Sequence, residues 1–116
     1  MSRRVVFAPA APLTFVNAEY VRGQIDKALD QRRDVRLLVI EANGIALIDF
    51  TAAQTMIQAI ARLRKRGIDV ALARLEAIGA MTAAARAGLL DVLGKDHVFH
   101  SVEEAVRALG PSRSAT

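Results

Sequence analysis

The chain has 116 residues, 53% of them hydrophobic, which is enough for one domain with its own core and too few for two ordinary ones. It has no cysteine, so a disulfide framework, a thiolate metal site and a thiol nucleophile are all excluded. Aromatic residues make up only 4% and the formal net charge is +4, a composition that suits helices packed on a sheet better than a β-sandwich.

Val5 to Ala8 and Leu13 to Val16 are short β-favouring runs separated by Pro-Ala-Ala-Pro, so two strands joined by a turn are predicted, with an antiparallel element at this end of the sheet. The outline of a secretory leader is also present, with Arg3 and Arg4 ahead of an apolar stretch and Asn17-Ala18 after it. Pro9 and Pro12 interrupt that stretch, and the strand reading is preferred. Asn17 is a good N-cap for a helix carrying Ala18, Val21, Ile25, Ala28 and Leu29 on one face.

Val35 to Ala42 is almost continuously apolar after Arg36, the pattern of a strand buried on both faces. Asn43-Gly44 supplies a turn, and Ile45 to Ile48 lead to Asp49. Ala53, Met56, Ile57, Ile60 and Leu63 form the stripe of a second helix, closed by Gly67, and Ile68 to Arg74 read as another buried strand. A third helix is predicted from Met81 to Leu93, weakened by Gly88. His97 to Phe99 make a brief apolar step, and Ser101 with Glu104 forms a capping box for a last helix ended by Gly110-Pro111. Strands alternating with helices predict right-handed crossovers and a largely parallel sheet.

No glycine-rich phosphate loop and no nucleophile elbow is present. Asp96, His97 and His100 are metal-ligand types, but an extended Val98-Phe99 between the histidines would point them to opposite faces, so structural or surface roles are expected. The basic run Arg62, Arg64, Lys65 and Arg66 reads first as the solvated last turn of a helix, where cations favour the dipole. Nucleic acid is not an expected partner, because no aromatic side chain sits beside that cluster. No apolar run approaches the roughly 18 residues needed to span a bilayer, so a soluble chain is expected. Thr51 and Gln54 match a capping box at the start of the second helix, and a helix N-terminus also favours a phosphate.

The segments APLTFVNAEYV, LLVIEANGIALIDFTAA, LRKRGIDVALAR and RAGLLDVLGKDHVFHSVEEAV, in that order and spacing, resemble the STAS domain, in the version found at the cytoplasmic C-terminus of SulP-type sulfate permeases and related anion transporters. The resemblance implies an α/β fold: a small mixed, mostly parallel sheet with about four helices mainly on one face. It implies one domain over residues 3–110 and a disordered tail over 111–116. It further implies a non-enzymatic regulatory domain at the cytoplasmic face of the membrane, acting by docking through Asp49, Phe50, Thr51 and Gln54 on the transporter's membrane domain, another protein or a second copy. Arg62, Arg64, Lys65 and Arg66 would add contact with the membrane surface or an acidic partner. No metal or cofactor is expected, beyond weak guanine-nucleotide binding as a property of the resemblance alone. The alternative is a free-standing anti-sigma-factor antagonist. Those proteins carry Asp-Ser-Ser-Gly at this junction, and their second hydroxyl residue is phosphorylated. Here the positions are Asp49, Phe50, Thr51 and Ala52, so Thr51 would be the switch, although Phe50 and Ala52 depart from the pattern.

Overall fold

The computed structural model describes residues 4–9, 13–14, 16–32 and 34–110; the predicted tail over 111–116 lies outside them. The elements in chain order are β1 (Arg4–Phe7), α1 (Ala18–Asp30), β2 (Leu37–Glu41), α2 (Phe50–Lys65), β3 (Asp69–Ala73), α3 (Ile78–Arg86), α4 (Leu89–Leu93), a 3₁₀ turn (Lys95–His97), β4 (Val98–Phe99) and α5 (Val102–Leu109).

Among the described residues the strands form one sheet in the order β1-β2-β3-β4, and all three pairings are parallel. The predicted antiparallel element is therefore corrected. β1 reaches β2 through α1, and a crossover of that kind returns the chain in its original direction. The second predicted run contributes a single parallel bridge, Leu13 with Ile48, in place of a hairpin with β1. Phe15 of that run lies outside the described residues.

Alternation along β2 and β3 sorts their side chains onto two faces. Leu38, Ile40, Val70 and Leu72 point into the larger core, which α1, α2, α3 and α4 cover. Leu37, Val39, Ala71 and Ala73 point to the opposite side, where α5 seats Ala105, with Val102, Val106, Leu109 and Phe99 around it. Leu37, Leu38 and Val39 have no solvent exposure at all, as a doubly covered strand requires. Burying each such side chain is worth about 1.5–3 kcal/mol, so the sheet interior dominates the stability of a chain this small.

The helix predicted over Met81 to Leu93 is two helices. Gly88 takes a φ of +86°, in the left-handed region, which ends one helix and redirects the chain into the next. Gly67 does the same at the end of α2, with a φ of +82°, as its position after the last apolar residue predicts. The capping box at α5 is present in modified form: Ser101 Oγ accepts the Glu104 N–H at 3.0 Å, while Glu104 Oε1 accepts the N–H of His100, one residue earlier than Ser101.

Candidate functional site

In a parallel sheet every strand delivers its chain to the same end, so α1, α2 and α3 all begin at the carboxyl edge. The β2–α2 junction is the most constrained of these starts. Ala42 N–H donates to Ala73 O at 2.7 Å, and Ile45 N–H donates to Ala42 O at 3.0 Å to close the turn at Asn43-Gly44. Ile45 and Ile48 are buried as anchors, while Leu47 between them is exposed. Two backbone bonds then fasten the junction to the Leu13 segment: Leu13 N–H to Leu47 O at 2.8 Å, and Asp49 N–H to Leu13 O at 2.9 Å.

This fastening decides which residue caps α2. Asp49 is held extended, with ψ of 167°, and its Oδ1 accepts the Ala52 N–H at 2.8 Å. Asp49 is therefore the N-cap. The prediction of a Thr51–Gln54 capping box is corrected: Phe50 is already helical, so Thr51 sits inside the first turn. Its carbonyl accepts from Thr55 Oγ1 at 3.2 Å. Gln54 turns away from the helix start, and its Nε2 donates to Ala87 O at 3.1 Å, a carbonyl just beyond α3. Gln54 thus holds the two helices together.

Phe50 and Thr51 face solvent at this junction, and Phe50 is 66% exposed. Sequence reasoning missed its companions at the same edge. Ile78, the first residue of α3, is 82% exposed, and Met81 and Leu47 are also exposed. The available signal was Ala77-Ile78, where a helix begins with no polar cap and an apolar residue outside the core stripe. Asp49, half-buried before α2, and Glu76, exposed ahead of α3, belong to the same edge.

The basic cluster occupies the other end. α2 has 16 residues, so Phe50 and Lys65 are separated by roughly 22 Å of helix. The junction and the cluster do not form one site. Arg64 is also engaged internally: Nη1 donates to Val92 O at 2.6 Å and Nη2 to Leu93 O at 3.0 Å, closing the C-terminal carbonyls of α4. Arg62, Lys65 and Arg66 are exposed. Arg62 lines two shallow clefts shared with α1, one with Glu19 and Arg22 and the other with Asp26 and Asp30.

His97 and His100 do not converge. His100 is exposed, whereas His97 lies between Asp69 and Asp96, and among the described residues no three His, Asp or Glu side chains form a metal site.

The four-stranded parallel sheet, the single helix on its back and the capped β2–α2 junction are those of a STAS domain. Residues 2–105 match the STAS domain family model, and the chain belongs to that family. Among curated relatives, a probable sulfate transporter of Mycobacterium tuberculosis is 35% identical over 105 residues, which is 90% of this chain and 19% of the relative. Probable sulfate transporter 3.5 of Arabidopsis thaliana is 24% identical over 107 residues, covering 90% of this chain and 16% of the relative. The chain thus spans about a fifth of the curated relatives it matches. Among solved structures, the STAS domain of a SulP transporter from Vibrio cholerae superposes with a TM-score of 0.72 at 23% identity, covering 91% of this chain and 80% of that one. The murine Solute Carrier 26 family member A9 anion transporter gives a TM-score of 0.80 at 19% identity, covering 92% of this chain and 18% of that one. At these identities the structural likeness is one of fold.

Because Asp49 carries the cap, Asp49→Ala is expected to lower unfolding stability by about 1 kcal/mol, whereas Asp49→Asn retains most of it. Thr51→Ala, on an exposed first-turn side chain, is expected to stay within about 0.5 kcal/mol. Urea unfolding of the three variants checks both statements, and the reverse ranking would return the cap to Thr51.

Proposed function

We propose that this chain is the cytoplasmic regulatory domain of a SulP-type sulfate or anion transporter, acting by contact and without catalysis. Its relatives support the assignment to a transporter. The observation that carries the contact reading is the exposure of Phe50 and Ile78, at 66% and 82%, on helix starts that share one edge of the sheet. Large apolar side chains held in the open by rigid helices are the usual anchors of a protein interface. Asp49 and Glu76 give the same edge a negative charge, which complements the Lys and Arg excess of cytoplasmic loops in membrane proteins. The partner is accordingly the transporter's own membrane domain, and docking at this edge biases its cycle.

The phosphorylation alternative is disfavoured by the residues on either side of Thr51. Phe50 and Ala52 stand where the antagonist pattern has Ser and Gly, and the exposed Phe50 makes this junction an apolar contact surface.

Co-purification with the membrane domain of a SulP-type transporter from the same organism tests the docking edge. Phe50→Ala combined with Ile78→Ser is expected to weaken retention about tenfold or more while leaving the circular dichroism spectrum intact. Undiminished retention by the folded variant would remove the edge from the interface.

The exposed cations Arg62, Lys65 and Arg66 are proposed to contribute a separate attraction to the anionic leaflet, which needs α2 to lie along the membrane and not end-on. Replacing each by Gln is expected to weaken binding to anionic vesicles by about fivefold per residue. Equal binding by the triple variant would confine this end of the domain to the aqueous phase.

A further inference from the structure

His97 stands where the 3₁₀ turn joins β4, and both of its ring nitrogens meet a carboxylate oxygen. Nε2 lies 2.8 Å from Asp69 Oδ1, and Nδ1 lies 2.9 Å from Asp96 Oδ1. Asp69 is the first residue of β3, 28 positions away in sequence, whereas Asp96 belongs to the same turn as His97. Ionised carboxylates only accept hydrogen bonds. A neutral imidazole has one N–H and one bare nitrogen, so it can satisfy only one of the two. Only the imidazolium donates to both.

We propose that His97 is a proton-operated latch between β3 and the turn feeding β4: protonated, it ties Asp69 to Asp96 through one ring; neutral, it must release one of them.

The surroundings fit this role. Asp69 Oδ1 also accepts the N–H of Val70 at 3.0 Å, which fixes its direction toward the ring. The Asp96 carboxyl is held below the ordinary carboxylate range, first by its hydrogen bond with His97, then by a backbone hydrogen bond and the charge of His97. It therefore stays ionised, an acceptor for the ring. The other charged groups on neighbouring elements are few. Arg64 approaches Asp96 from α2 with its guanidinium engaged on α4, Asp91 is the one ionisable residue of α4 and is exposed, and Lys95 is exposed on the turn itself. β4 carries none. Gly94, with φ of +93°, leaves room for the arrangement, since a Cβ there would stand 3.0 Å from Asp96 Oδ1.

The latch matters because the strand it precedes is weakly held. β4 has two residues, paired with Leu72 and Ala73, and one further bond runs from Arg74 N–H to Phe99 O at 3.0 Å. Phe99 is also one of the side chains on which α5 rests. Loss of a tie at His97 loosens the attachment of the edge strand and, through Phe99, of the helix behind the sheet. The sign follows from the hydrogen bonding: the second tie needs an N–H on both ring nitrogens, so it belongs to the protonated ring and is absent from the neutral one. This inference does not depend on what the domain docks against.

Nuclear magnetic resonance of the whole chain between pH 5.5 and 8.5 tests it. The amide signals of Val70, Val98 and Phe99 are expected to move together with the His97 ring. The Arg74 amide is expected to lose about two- to fivefold of its protection between the low and high ends of that range, after correction for intrinsic exchange. His97→Gln abolishes both effects, the exposed and readily tolerated Asp96→Asn reduces them, and His100→Gln leaves them intact. A His97 ring that titrates without moving the β4 amides, or a transition that survives in His97→Gln, would overturn the latch.

Discussion

Burial of β2 and β3 on both faces is the constraint from which the rest of the molecule follows. Leu37, Leu38 and Val39 cannot meet water on either side, so helices must lie over both surfaces of a sheet only four strands wide. Four helices satisfy the larger core. A single short helix satisfies the other by seating Ala105 against Ala71 and Ala73. Small residues on that side allow close approach, and this is how an eight-residue helix can cover the middle of the sheet.

The same constraint positions the contact edge. Parallel strands buried on both faces can place their irregular connections only at the two ends of the sheet. The carboxyl end receives the starts of α1, α2 and α3. There the Leu13–Ile48 bridge holds Asp49 extended, Asp49 caps α2, and Phe50 is left in solvent on a rigid support. An exposed phenylalanine on a floppy loop would collapse onto the nearest apolar surface; on a capped helix in which Ala52 and Ala53, two and three positions on, are fully buried, it cannot. Rigid exposure of this kind lowers the ordering cost of binding.

Much of this was legible in sequence because it rests on local pattern. The continuous apolar runs of β2 and β3, the stripe of α2, the left-handed Gly67 and the Ser101 cap all appear where periodicity and turn chemistry predict them. The resemblance to the STAS domain also held. What escaped depends on partners distant in the chain. Asp49 and Thr51 are both chemically able to cap α2, and the choice is made by the Leu13 segment, more than thirty residues earlier. Arg64 reads as a free surface cation until α4, 28 residues later, presents its terminal carbonyls. His97 reads as a surface histidine until β3 brings Asp69 to its ring. The parallel sense of β1 likewise comes from α1 acting as a crossover, which two β-favouring runs separated by prolines conceal.

The central claim is that the carboxyl edge of the sheet, and not its open sides, is the surface through which this domain acts. Hydrogen–deuterium exchange of the chain, alone and in complex with a SulP-type membrane domain, tests it most directly. The account predicts added protection on binding over residues 47–52 and 76–81, with β4 and α5 unchanged. Protection confined to α5 and β4, with residues 47–52 exchanging as they do in the free chain, would contradict it.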